Sequence, residues 1–138
     1  CLSIYISNVS FWMDALDLWE SFSQRIATIY LPDRKRPMLP TILSDALCSL
    51  QENRIRFAFT LDILINKNTF EIIDTSFKNT CICVRKNFRY DTPEQENNPM
   101  YKKILYYTKK MNSKKRYTDG ISNSHDVIAY LMILMNMS

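Results

Sequence analysis

The chain has 138 residues, a net charge of +4, and 46% hydrophobic and 12% aromatic residues. That is enough apolar material for one ordinary domain with a core, and it excludes a disordered chain. The charge permits a polyanionic partner without demanding one, and a single glycine excludes a glycine-rich phosphate loop.

Cys81 and Cys83 share one face of a strand-like run, Cys1 and Cys48 stand alone, and His125 is the only histidine. Neither a disulfide framework nor a zinc site is expected from these spacings. The expectation is buried, reduced thiols in an intracellular, cytoplasmic protein. No signal peptide is visible, and the apolar run from Val127 to Met137 is about half of a membrane span, so no membrane partner is expected. The chain begins at Cys1 within a strand pattern, which reads as a fragment of a longer protein.

In chain order, Leu2, Ile4 and Ile6 alternate with Ser3, Tyr5 and Ser7, which predicts a strand over 2–8. Ala15, Leu18, Trp19, Phe22 and Ile26 then fall at helical spacing, capped by Ser10 or Asp14. Asp14 and Asp17 on that helix are a carboxylate pair for a metal or, more simply, a solvated first turn. Thr28 to Leu31 reads as a short strand. Pro32, Pro37 and Pro40 then impose a stiff, extended connector that carries Arg34, Lys35 and Arg36. Leu43, Ala46, Leu47 and Leu50 return to helical spacing.

Gln51 to Asn53 make a turn, and Ile55 to Ile65 alternates as a strand, with Phe57, Phe59 and Leu61 on one side. A hairpin turn at Asn66 to Asn68 leads to strands at Phe70 to Ile73 and Thr80 to Tyr90. The second of these ends in Arg85, Lys86, Asn87 and Arg89, an edge that suits either phosphate contact or solvent. Residues 92–99 read as a loop and Met100 to Met111 as a helix. Lys109, Lys110, Lys114, Lys115 and Arg116 follow, interleaved with Tyr106, Tyr107 and Tyr117. That mixture suits phosphate binding with base stacking, or equally a solvated helix end. Ser122 or Ser124 caps a last, largely apolar helix, and capping accounts for His125 and Asp126. The fold class is α+β: a mostly antiparallel, twisted sheet of about five strands with helices near 14–27, 41–50, 100–112 and 124–136.

Tyr30-Leu31, Pro37-Met38-Leu39-Pro40, Leu43-Ser44 and Leu47-Cys48-Ser49-Leu50 form a pattern at fixed offsets. It resembles a segment of the RNB domain, the catalytic domain shared by ribonuclease II, ribonuclease R and the exosome-associated exoribonucleases. The resemblance continues at Ile4 to Ser10, with Tyr5 and Asn8 in place of the family's His and Asp. Arg56 to Thr60, Tyr90 and the final helix extend it further. It is strongest over 4–60 and weaker over 90–120.

The resemblance implies that the parent protein is a Mg2+-dependent exoribonuclease that hydrolyses single-stranded RNA from its 3′ end. The family's Asp-x-Asp-Asp cluster would lie upstream of Ile4 and its catalytic arginine beyond the last helix. Residues 1–138 are therefore expected to be a partial RNB domain that lacks both catalytic ends. No catalytic or metal-binding residue is assigned within the segment, and further RNA-binding domains are expected elsewhere in the parent chain. From spacing alone Tyr30 is a half-buried strand tyrosine, whereas the resemblance makes its ring the stacking partner of the 3′-terminal base. Tyr30, Arg34, Lys35, Arg36, Arg85, Lys86, Lys109, Lys110, Lys114 and Lys115 are the expected RNA-binding residues, in the wall of an RNA channel. Two departures stand out: Ala129 and Tyr130 replace an acidic pair that helps to read the ribose, and Asn8 keeps the shape of the family's Asp without its charge. The alternative reading is a catalytically inactive, stand-alone relic that binds RNA or another protein.

Overall fold

A computed structural model describes residues 1–22, 28–36 and 38–138, without the side chains of Phe22, Lys35 and Arg36. The fold is α+β. In order it comprises β1 (Leu2–Ser7), α1 (Val9–Ala15), α2 (Trp19–Phe22), β2 (Ile29–Tyr30), β3 (Lys35–Arg36) and a π-helical turn (Ile42–Leu47). Strands β4 (Ile55–Ile65) and β5 (Ile72–Cys83) follow, then helices α3 (Pro93–Asn97), α4 (Pro99–Lys114) and α5 (Ser124–Met137). The five described strands form two sheets: a three-stranded sheet of order β1-β4-β5 and the β2–β3 ribbon.

The chain packs as two compact units, one of Tyr5–Phe59 with Asn79–Lys86, the other of Cys1–Ile4, Thr60–Lys78 and Asn87–Ser138. They are called here the ribbon unit and the helical unit. Along β4, Ala58 and Thr60 are buried and then Leu61 and Ile63, so the covered face changes where the chain passes between units. Simple alternation therefore places Phe57 and Phe59 on the less covered side.

In the ribbon unit, Met13, Leu43 and Cys48 form a buried cluster with Val9, Trp12, Leu18, Leu39 and Leu47 against it. The long helix expected over 14–27 is interrupted to build this cluster; its stretch 23–27 lies outside the described residues. The α1 cap is Asn8, not Ser10 or Asp14: its Oδ1 accepts from the Phe11 N–H at 3.1 Å. At the other end the Leu18 N–H reaches Met13 O at 2.9 Å and the Asp17 N–H reaches Asp14 O at 3.2 Å. With Asp17 at φ 49, this is a Schellman motif whose hydrophobic contact joins Met13 and Leu18. Asp14 lies in the last turn of α1 and accepts from the Trp19 indole, while Asp17 lies beyond the helix, so they are not a solvated first turn.

In the helical unit α4 and α5 bury Thr108, Met111, Val127, Tyr130 and Leu134. Helix α5 starts with a capping box: Asn123 Oδ1 accepts from the Asp126 N–H at 2.9 Å, and the Asp126 carboxylate accepts from the Asn123 N–H. Asn123, not a flanking serine, is the cap. The two strands predicted at 70–73 and 80–90 are one continuous strand, β5, which starts at Ile72 because Phe70 adopts φ 60 and stops at Cys83. Residues 93–97 of the predicted loop form α3, with Thr92 as its cap and Pro93 in its first turn. All four cysteines are free, but only Cys48 is buried; Cys1, ahead of β1, is exposed, and so are Cys81 and Cys83, because β5 is an edge strand open to solvent over most of its length.

Candidate functional site

The β2–β3 ribbon is a tight antiparallel hairpin, with Ile29 opposite Arg36 and Tyr30 opposite Lys35. The Leu31 N–H donates to Arg34 O at 2.9 Å across a two-residue loop, Pro32-Asp33. The connector is therefore folded back at Pro32, whose fixed φ favours a turn as readily as an extended run. Pro37 lies outside the described residues. One consequence is exposure: Tyr30 is 77% exposed, not half-buried, although it stands in a strand. Arg34 is exposed beside Asp33 at 3.5 Å, a contact too solvated to neutralise it for a partner. Lys35 and Arg36 follow in β3 with their backbones paired; their side chains lie outside the described residues.

Behind the ribbon in sequence, the Pro40–Leu50 segment is locked by Arg56. Its guanidinium donates to Ser49 O at 2.8 Å, Ala46 O at 2.9 Å and Gln51 Oε1 at 3.3 Å. A cation at the carbonyl end of a helical turn satisfies groups that would otherwise need water. The turn itself is π-helical, with the Cys48 N–H bonded to Leu43 O at 2.8 Å, and Ser7 Oγ donates to Cys48 O. Burial pushes the Cys48 thiol up, partly offset by the charge of Arg56, so it stays protonated as an apolar packing group. Asn8 ties the same unit together: its N–H donates to Phe57 O at 3.1 Å and its Nδ2 to Asn79 Oδ1 at 2.9 Å. The carboxylate expected there from family resemblance could not donate that second bond.

Arg85 and Lys86 also belong to the ribbon unit, directly after Val84, whose carbonyl accepts from the Asn53 N–H at 2.8 Å. Both are exposed, on an irregular segment and not on a strand edge. Lys109, Lys110, Lys114 and Lys115 belong to the helical unit and are exposed along the second half of α4 and its C-cap. Lys110 Nζ lies 5.8 Å from the Tyr106 ring centroid and Lys115 Nζ 5.2 Å from that of Tyr117. Here the cations sit over aromatic faces, as the interleaving suggested. Arg116 is bound to Asp119 at 2.9 Å.

Sequence reasoning missed one cluster. Tyr90 stacks on His125 at 4.1 Å and 16°, His125 Nε2 lies 3.3 Å from Asp91 Oδ2, and Ser124 Oγ donates to Asp91 Oδ1 at 2.7 Å. Asp91 reaches this position through a backbone at φ 53. The serine hydroxyl and the imidazole address the same carboxylate and not each other, so the trio is a clasp and not a nucleophilic triad. Its signal in the sequence was only a polar pair at a helix start.

Among the described residues no three His, Cys, Asp or Glu side chains gather into a group able to hold a metal ion. Among them too, no helix is long and apolar enough to cross a membrane.

A family model described as the RNB domain matches residues 1–96. Exoribonuclease 2 of Vibrio cholerae serotype O1 is 51% identical over 45 residues, covering 33% of this chain and 7% of the relative. Ribonuclease R of Ureaplasma parvum is 31% identical over 97 residues, 70% of this chain and 13% of the relative. DIS3-like exonuclease 2 of Xenopus tropicalis is 32% identical over 106 residues, 75% and 12% respectively. A solved structure of Mycoplasma genitalium RNase R, in complex with double-stranded RNA, matches 97% of this chain and 30% of that chain. Its TM-score is 0.79 at 17% identity, a likeness of fold. The chain spans less than a third of each of these proteins.

Proposed function

The chain belongs to the RNB-domain family, and from that premise we propose that residues 1–138 are the middle of one RNB domain in a longer, magnesium-dependent 3′-to-5′ exoribonuclease. In this reading the segment forms a wall of the RNA channel and Tyr30 stacks on the 3′-terminal base. The observation that carries it is the exposure of Tyr30 on a pinned hairpin between cationic positions. At 77% exposure most of the Tyr30 ring is open to solvent, which leaves a face for contact with a partner. A base is a suitable partner, because stacking needs only a π-face and tolerates any sequence.

The substrate in this reading is single-stranded RNA, whose unpaired 3′-terminal base can be splayed from its neighbours and laid against Tyr30. Arg34, Lys35, Arg36, Arg85 and Lys86 neutralise phosphates in the ribbon unit, and Lys109, Lys110, Lys114 and Lys115 in the helical unit. The described residues do not fit a magnesium site, so the ion is held by residues beyond the segment, and no bond-breaking step is assigned to these side chains. The work of this segment is binding and orientation.

The test uses the full-length protein and a 5′-labelled single-stranded RNA, with magnesium or with EDTA. A magnesium-dependent ladder that shortens from the 3′ end is the expected result. RNA bound but uncut in magnesium would overturn the enzyme and leave the inactive relic as the better account. In the same preparation, each Lys→Met change that removes one phosphate-binding cation should lower the slope of log K against log salt by roughly 0.7.

A further inference from the structure

The helical unit contains a cleft of about 430 Å3 between the β4–β5 hairpin and the C-terminal ends of α4 and α5. Met111 and Leu134 in its lining are buried. Phe70, Tyr117 and Tyr130 contribute rings, and Lys114 and Lys115 contribute two exposed ammonium groups. Glu71 and Thr75 add an acceptor and a hydroxyl. A volume of this size holds a small molecule and not a polymer chain.

Tyr130 is the unusual member. Its residue is 1% exposed and its ring lies 5.9 Å from that of Tyr117. Among the described residues its hydroxyl has no hydrogen-bond partner, yet no buried side-chain oxygen is left unsatisfied. The hydroxyl oxygen therefore keeps a small accessible surface, on a residue that lines the cleft. Burial pushes its pKa up to about 12, so at neutral pH it is a proton donor held in an otherwise apolar wall. Phe70 is also placed at a cost. It adopts φ 60, an unfavourable backbone for a bulky residue, with its ring edge-on to Tyr106 and Tyr107 at 5.7 and 5.6 Å.

We propose that this cleft binds a free nucleoside monophosphate, its phosphate held by Lys114, Lys115 and the Tyr130 hydroxyl and its base among the rings of Phe70 and Tyr117. Two cations and a neutral donor suit a compact dianion. The rings suit a flat heterocycle, and Glu71 suits the hydroxyl and amino donors of a nucleoside. The ligand needs both an anionic end and an aromatic end to use the whole lining. Such binding does not require that the protein hydrolyse RNA.

The test is calorimetric titration of the full-length protein with adenosine 5′-monophosphate in EDTA, where no metal-dependent turnover occurs. The protein is used both native and as Tyr30→Ala, to remove the ribbon ring as a competing platform. Saturable binding with one site is expected in both. Tyr130→Phe, which keeps the ring, should weaken it about tenfold. Lys114→Met and Lys115→Met, on the surface, should weaken it and flatten its salt dependence. Adenosine alone and inorganic phosphate alone should each bind far more weakly. Absence of saturation, affinity unchanged in Tyr130→Phe and in both lysine variants, or loss of binding in Tyr30→Ala alone would each overturn the proposal. A short oligoadenylate that depends on Tyr130 and outcompetes the monophosphate would assign the site to an RNA end and overturn the free-nucleotide occupant. The EDTA titration and the magnesium ladder can fail separately, so failure of one leaves the other intact.

Discussion

Tyr30 and Tyr130 are the same residue type beside cations, and the molecule treats them in opposite ways. Tyr30 stands on a two-residue strand with most of its surface in solvent, whereas Tyr130 is almost wholly enclosed in the α4–α5 pair. The ribbon is held by its backbone: paired strands, a Pro32-Asp33 turn and a neighbouring segment pinned by Arg56. The helix pair is held by its side chains. An exposed ring can be removed with little cost to folding. A buried ring is constrained by packing first and by ligand second.

The largest break in this comparison should come from the helix pair. Leu134→Ala removes a side chain that is 1% exposed and should cost about 2–5 kcal/mol, read as a lower midpoint in urea with an unchanged slope. A loss under 1 kcal/mol would mean that α5 is not packed as described. Next is Arg56→Ala in the ribbon unit. It leaves the carbonyls of Ser49 and Ala46 without their charged donor and should cost about 1–3 kcal/mol. Arg56→Lys should restore only part of this, because an ammonium cannot span both carbonyls.

A smaller effect sharpens the contrast through pH. The Asp126 carboxylate is held below its ordinary 3.8 chiefly by the Ser122 N–H and then by the Ser122 hydroxyl. Asp62 is held below the same value first by its bond to the Lys78 ammonium and then by Ser3 Oγ. Folding lowers both values, so the stability they contribute is complete above the ordinary carboxylate pKa and is lost as pH falls through the folded values. Acid titration of the unfolding midpoint should show a fall beginning near pH 4, shallower in Asp126→Asn. Asn123→Ala should cost about 1 kcal/mol at neutral pH, because it deletes the α5 cap. Smallest of all, Tyr30→Ala should change stability by less than about 0.5 kcal/mol, a near-silent result in the same melt.

Much of the fold was legible where local pattern and final environment agree. Strand β4 runs from Ile55 to Ile65 as the alternation predicts, and β1 and the last two long helices fall within a few residues of expectation. The strand total agrees only by compensation, because the strands expected at 70–73 and 80–90 are the single strand β5 while β3 arises in the expected connector, and the five divide between two sheets. What the sequence hid were left-handed positions without glycine. Asp17, Asn53, Phe70 and Asp91 all have positive φ, whereas the lone Gly120 does not. A search for glycine punctuation therefore misses the end of α1, the true start of β5 and the turn that presents Asp91 to His125. Asp17 could be recognised only from the pairing of Met13 with Leu18, five residues apart, which a continuous helix would place on different faces.

Of the proposed site, family resemblance singled out Tyr30, which periodicity alone would have half-buried; the structure exposes it, and its base-stacking role is the proposal. The basic residues of α4 were visible as a run, and the sequence correctly set cations among tyrosines. The cleft was not visible: Tyr130 stood out only as a departure from the family's acidic pair, and no spacing joins it to Phe70, Tyr117 and the lysines that end α4. Arg56 was seen as part of a strand motif, but its bonds to Ser49 and Ala46 depend on the π-helical geometry of the turn it caps, which no spacing announces.

The central claim is that Tyr30 is a base-stacking ring, and the most direct measurement is fluorescence of a single-stranded RNA carrying 2-aminopurine as its 3′-terminal base. Bound to the full-length protein in EDTA, the probe should be quenched by stacking. It should remain quenched with Tyr30→Phe and brighten with Tyr30→Ala while overall RNA affinity falls only modestly. Equal quenching in all three proteins would contradict the account and return Tyr30 to the status of an ordinary surface tyrosine.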